Sequence, residues 1–424
     1  MKLYKHPARS EWEELVKRPT METGSLEDSV KKILQEVKEN GDEALRKFTK
    51  QFDKASIQDF AVHPDEFFAA QSALDPKLKA AILSARVNIE TFHKTQLTEP
   101  ARVETMPGVH CWRKNIAIEK VGLYIPGGTA PLFSTILMLG VPAKLAGCKE
   151  IVVCTPPDEN GKIPDAILFA AKAVGITKVF RVGGVQAIGA MTYGTESIPR
   201  VSKIFGPGNQ YVTCAKQLVQ REGVAIDMPA GPSEVAILAD DSANAAFVAA
   251  DLLSQAEHGA DSQVFLVSNS EVLIYKVRDE LTKQSAALPR KDIIQQALAN
   301  SKMVVTKNTD EAIDLLNEYA PEHLILSCDN AAAVSEQVIN AGSVFLGHYS
   351  PESAGDYASG TNHTLPTNGY ARMYSGVSVD SFVKKITFQE LSETGLKNIS
   401  NTVIMMAEAE GLQGHANAVR IRMK

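Results

Sequence analysis

The sequence predicts an α/β protein made of two doubly wound units, each a parallel β-sheet covered by helices on both faces, with small helical segments at the chain ends. Three observations carry this reading. At roughly 150 residues per core-forming unit, 424 residues allow two to three such units. From residue 149 onward, short β-rich runs alternate with helical stretches, the pattern of repeated βαβ units. A faint internal repeat adds to it: AKLAGCKEIVVC at 143–154 and AKAVGITKVFRV at 171–182 share the spacing of helix end, glycine and strand.

Taken in order, the first 100 residues read as helices. SLEDSVKKILQEVKENGDEALRKFTKQF puts Val30, Ile33, Leu34 and Val37 on one stripe, with Ser25 as N-cap and Gly41 as a stop. DPKLKAAILSARVNIETFHKTQ is a second helical stretch. Strands follow at 150–154, 178–182, 201–205 and 224–227, with helices around 164–174, after Gly184 and after Asn209. A second set of strands falls at 234–239, 263–268, 303–306, 323–327 and 343–347. The expected domains are therefore a smaller Rossmann-like unit at 124–233 and a larger one from 234–370, on which the helices of 22–123 pack. Residues 1–21 and 371–424 form a helical arm and tail, the tail long enough to reach another subunit.

Hydrophobic residues make up 44% and charged residues 22%, as in an ordinary globular enzyme, and the net charge of −6 argues against a nucleic-acid partner. Five cysteines with no CxxC pair read as reduced thiols, not a disulfide framework or a cysteine zinc site. The N-terminus carries charge throughout, without an apolar leader. Residues 121–143 lack any charge, but Pro126, Pro131, Pro142 and Gly127-Gly128 interrupt them, so buried core plus a functional loop is expected rather than a membrane span. The expected location is cytoplasmic.

Open parallel sheets bind ligands at the carboxyl ends of their strands. In the smaller unit those ends carry VGGVQAIG, FGPGNQ and MPAGPSE, where glycine admits a phosphate close to the backbone and helix N-termini offer free N–H groups. Tight βα turns use glycine too, and GGVQAIG lacks the dinucleotide fingerprint, so spacing alone barely favours a nucleotide.

The metal signal lies in SANAAFVAADLLSQAEHGAD, a helix capped by Asp241 or Ser242 and ended by Gly259. Gln255 and His258 share a face of its last turn, where the negative dipole end favours a cation. Two donors do not make a site, and a satisfied histidine is the simpler reading of these alone. The stretch SPESAGDYASGTNHTLPTNGY (350–370) lacks periodicity, and its Asp356 is the expected carboxylate ligand, with His363 a competing donor. Glu322-His323, in APEHLIL, opens a strand and could serve as base and acid; read alone, the pair fits an exposed strand edge better. Glu410 and His415 lie in the tail, where Gly411 and Gly414 break the helix.

Six segments in series, VGLYIPGGTAPLFSTILML, FGPGN, IDMPAGPSEV, DLLSQAEHG, PEHL and SPESAGDYASGTNHTLPT, resemble the histidinol dehydrogenase family from about residue 20 to the end. The resemblance implies NAD-dependent oxidation of L-histidinol to L-histidine through bound histidinaldehyde, with one Zn²⁺ per subunit. It implies Gln255, His258, Asp356 and His415 as zinc ligands that also contact substrate, His323 as general base and Glu322 as activator of water. Ser233, His323 and Glu410 match further substrate contacts, and Tyr124, Gln186 and Asn209 match NAD contacts. It also implies a homodimer whose tail completes the partner's site. The tail's EGLQGH is richer in glycine than the family pattern, which leaves its helix boundaries open. Rival readings are thiol-based aldehyde oxidation, with Cys154 the candidate, a metal-dependent hydrolase without dinucleotide, and a non-enzymatic metal-binding protein.

Overall fold

In the computed structural model, residues 1–18, 24–127 and 132–424 are described. The expected boundary at 21/22, and Gly128 and Pro131 of the uncharged run, lie outside them. Fourteen strands are present among the described residues. They begin with β1 (Lys2–Lys5), β2 (Val103–Met106) and β3 (Val109–Ala117). The smaller unit supplies β4 (Lys120–Tyr124), β5 (Glu150–Thr155), β6 (Lys178–Arg181), β7 (Lys203–Phe205) and β8 (Ala225–Ile226). The larger supplies β9 (Glu234–Ala239), β10 (Gln263–Ser268), β11 (Lys302–Val305), β12 (His323–Ser327) and β13 (Ser343–Leu346). Last comes β14 (Val383–Leu391).

Two parallel sheets result, in the orders β6-β5-β4-β7-β8 and β1-β11-β10-β9-β12-β13. Within each unit the order is third, second, first, fourth, fifth, the doubly wound arrangement. Side chains alternate between faces, so each sheet has two cores. Ile151 and Val153 enter one cluster and Val152 and Cys154 another, while Val235 and Ile237 part from Ala236 and Leu238 in the same way.

Several expectations need correction. The early helices pack on the smaller sheet, not the larger. Val30, Leu34, Val37 and Phe48 of the Gly24–Phe52 helix meet Val185, Ile188 and Val212, and Phe67, Ile82 and Ile89 meet Leu137, Ile167 and Val179. The stretch is two helices that meet at a kink at Gly41 (φ 48°, ψ −127°), so the expected stop holds, but Ser25 lies inside the first and not at its cap. The N-terminal arm is not purely helical, because β1 extends the larger sheet beside β11. The tail likewise holds β14, which pairs antiparallel with β3, itself paired with β2. Gly411 (φ 76°) separates two tail helices, Glu393–Ala409 and Gln413–Arg422, but Gly414 sits within the second. Among the described residues no helix is long and apolar enough to cross a membrane.

Candidate active site

The two sheets face each other across a cavity of about 250 Å³. The smaller sheet offers its carboxyl ends: Pro126 follows β4, and Pro207, Gly208 and Asn209 follow β7. The FGPGN turn is held from beneath. Asp227 accepts from the Gly206 N–H at 2.8 Å and pairs with buried Lys216 at 2.5 Å, and Lys216 donates to the Gly206 carbonyl at 2.7 Å. Gly206 has φ +123°, and a Cβ there would lie 2.1 Å from the Tyr124 carbonyl oxygen, so only glycine fits. Asn209 caps the Gln210–Val219 helix, its Oδ1 accepting from the N–H groups of Tyr211 and Val212 at 3.1 Å.

The larger sheet offers its amino ends, contrary to the carboxyl-end expectation. Glu322 and His323 stand at the start of β12, Ser233 precedes β9, and Gln255 and His258 arrive on the returning helix. That helix spans Ala245–Ala256 and is capped by Asn244, not by Asp241 or Ser242. His258 lies just past its end in a tight turn, its N–H donating to the Gln255 carbonyl at 3.2 Å. The segment expected to be structureless forms a short helix, Glu352–Tyr357, which brings Asp356 to the cavity.

The Glu322-His323 pair is buried, not an exposed strand edge: the two are 5% and 4% exposed. One carboxylate oxygen of Glu322 accepts from the Glu234 N–H at 2.8 Å. His323 Nδ1 donates to the Glu234 carbonyl at 3.1 Å, which fixes the ring and turns Nε2 toward Asp356 Oδ1, 3.5 Å away. Burial pushes the Glu322 carboxyl up to about 8. Burial opposes the charged form of His323, but the carboxylates of Glu322, Glu352 and Asp356 outweigh it and push the imidazole up to about 10. Loss of water around them in the cleft holds His258 and His363 below the ordinary imidazole value.

Donor atoms of His258, Glu352 and Asp356 lie within 4.8 Å of one another. Around them, Gln255 Oε1 and Nε2, His323 Nε2, Asp356 Oδ1, His363 Nε2 and Glu352 Oε2 are buried without a hydrogen-bond partner among the described residues. Buried polar atoms are almost always paired, so this concentration of oxygens and nitrogens fits residues that hold a cation and a polar ligand. A mixed N/O set of this kind suits Zn²⁺ or a neighbouring divalent ion. Glu352, whose carboxyl burial drives well above its ordinary range, was missed in the sequence; its only signal was being the one other charge in the 350–370 stretch.

Of the expected residues, Ser233, Gln255, His258, Glu322, His323, Asp356 and Asn209 line the one cavity, as does the competing donor His363. Tyr124 and Gln186 do not. Both are buried, Tyr124 at the end of β4 and Gln186 in the first turn of the Gly184–Tyr193 helix after β6, the Tyr124 hydroxyl accepting from the Gly184 N–H at 3.1 Å and Gln186 Oε1 without a partner among the described residues. Glu410 and His415 lie apart from the cavity within the single chain and are exposed. Cys154 is fully buried with its thiol pushed far up, which removes the thiolate that thiol-based oxidation needs.

The sequence profile of the family described as histidinol dehydrogenase matches residues 16–423. A histidinol dehydrogenase from Bacteroides fragilis (strain YCH46) is 60% identical over 424 residues, covering 100% of this chain and 99% of that one. One from Bacteroides thetaiotaomicron is 59% identical over 423 residues, covering 100% and 99%. The crystal structure of histidinol dehydrogenase from Elizabethkingia anophelis is 54% identical, with a TM-score of 0.98 over 100% of this chain and 98% of that chain. An acetylating aldehyde dehydrogenase from Geobacillus thermoglucosidasius shares the fold at a TM-score of 0.50 and 13% identity. With a family profile that spans residues 16–423 and relatives this similar along its full length, the chain belongs to the histidinol dehydrogenase family of oxidoreductases.

Proposed function

We propose that the protein oxidises L-histidinol to L-histidine by two successive hydride transfers to NAD⁺, with histidinaldehyde retained between them, in the final steps of histidine biosynthesis. The observation that carries this reading is the cluster of unpaired buried donors beside a buried Glu-His pair, in a cleft whose other wall is a glycine-rich helix N-terminus. Gln255, His258 and Asp356 would hold Zn²⁺, with the partner's His415 as the fourth ligand in a homodimer. Held there, the ion would supply a template and Lewis acid for the imidazole and amine of the substrate, and its positive charge would offset the carboxylates of Glu322, Glu352 and Asp356 that favour protonated His323.

His323 Nε2 then accepts the hydroxyl proton as hydride leaves the carbinol carbon, its ring held by the Glu234 carbonyl. Glu322 takes a proton from the water that adds to the aldehyde, and the second hydride leaves from the resulting hydrate. Ser233 contacts the substrate from the cavity wall, and Glu410 of the partner subunit meets its ammonium or hydroxyl. Asn209, with Tyr124 and Gln186, contacts NAD, whose phosphates suit the positive N-terminal end of the Gln210–Val219 helix. We assign residues 124–233 to cofactor binding and the larger unit to metal and catalysis. The crossing tail explains why Glu410 and His415 find no partners in their own chain's cavity.

The test is absorbance of NADH on mixing the zinc-loaded protein with histidinol and NAD⁺. Two NADH per histidine are expected; hydrolysis products without NADH would favour the hydrolase reading.

A further inference from the structure

Glu234 does more than begin β9. Its backbone N–H and carbonyl hold Glu322 and His323, while its side chain, 3% exposed, is held in turn by Arg18. Arg18 Nε donates to Glu234 Oε1 at 3.1 Å and Nη2 to Oε2 at 2.8 Å, a two-pronged pair across 216 residues of sequence. The same guanidinium lies 3.7 Å from the centre of the Tyr319 ring and donates to the Ala320 carbonyl at 3.4 Å. Ala320 has φ +50°, a left-handed conformation unfavourable for a residue with a Cβ, and the chain passes from it through Pro321 into Glu322. Glu234 Oε1 also accepts from the Asn368 N–H at 2.7 Å, at the end of the loop that brings His363 and Thr367 to the cavity.

One side chain from the N-terminal arm therefore ties three segments: the start of β9, the strained entry to β12 and the end of the cavity loop. Each carries a cavity residue. We infer that Arg18 is a positioning residue for the Glu322-His323 pair, acting through Glu234 and Ala320 without touching substrate. This rests on the pair's proposed role in proton transfer.

Its geometry suggests what a substitution does. Lysine keeps the charge but replaces a planar fork and a stacked plane with a single point donor, which cannot satisfy Glu234, Tyr319 and Ala320 together. Small misplacement of a reacting group costs up to roughly a hundredfold in rate. Because zinc and substrate are gripped by other residues, the loss should fall on turnover and not on binding.

The experiment is steady-state kinetics of zinc-loaded Arg18→Lys and Glu234→Gln, with zinc content by metal analysis and histidinol binding by calorimetry, each normalised to folded protein. The expected result is a fall in kcat of roughly 10- to 100-fold, with KM for histidinol, histidinol affinity and zinc content unchanged. Two substitutions at opposite ends of one contact keep the test alive if either variant fails to fold. Unchanged kcat in a folded variant would overturn the inference, as would kcat, KM and zinc content declining together. His323→Ala, run alongside, isolates the premise: full turnover there would sink the proposed role of the pair, whatever Arg18 does.

Discussion

The two parallel sheets share one strand order yet turn opposite ends to the cleft. From the smaller sheet the cleft receives carboxyl ends, glycine turns and a helix N-terminus. From the larger it receives amino ends, and with them the C-terminus of the Ala245–Ala256 helix. Helices leaving a parallel sheet present their positive ends, and helices returning to it present their negative ends. One wall is thus suited to phosphate and the other to a cation. A single topology used in two orientations supplies both halves of the metal-assisted, nucleotide-dependent oxidation proposed for this protein.

The sharpest break of this comparison is on the cation wall. His258→Ala should lose zinc and activity together, measured by metal analysis and NADH formation, because it removes one of the few donors. His323→Ala should retain zinc and fold while kcat drops by roughly 10²–10⁴, the range for removing a general acid–base group. If His323→Ala instead strips the metal, ligand and base are exchanged in this account. Mixing His258→Ala with His415→Ala subunits sharpens the claim further. Two inactive proteins should regain activity, since mixed dimers hold one site with neither substitution; no recovery would place His415 outside the partner's site.

On the phosphate wall the effects are smaller. Gly206→Ala should raise KM for NAD and lower the melting temperature, because its Cβ meets the Tyr124 carbonyl at 2.1 Å and shifts the turn ahead of Asn209. Asn209→Ala should cost about 1 kcal/mol of stability from the lost cap, read from urea denaturation, and weaken NAD without affecting zinc.

The strands legible in the sequence are those buried on both faces. EVAILA, QVFLVS and HLILS were read to the residue because each is a run of apolar side chains wide enough for two cores. KLYK and VKKITFQEL were not, because edge and antiparallel strands with a solvated face scatter lysines along the run. β4 was hidden because most of it lies in the uncharged run of 121–143, read as one stretch of core and loop. Local pattern places Glu322-His323 at a strand start but cannot reveal that β9 and β13 bury it from either side. The same limit hid Glu352, whose neighbours His258 and His323 lie far from it in the chain. Packing of the early helices was misjudged because an amphipathic stripe says that a helix is buried, not against which sheet.

The most direct test of the opposed-walls account is an anomalous difference map at the zinc edge, from crystals grown with zinc and histidinol. The account predicts one peak per subunit at the amino ends of the larger sheet, contacted by Gln255, His258 and Asp356 and by the partner's His415. A peak at the carboxyl ends of that sheet, or none within reach of these side chains, would contradict it.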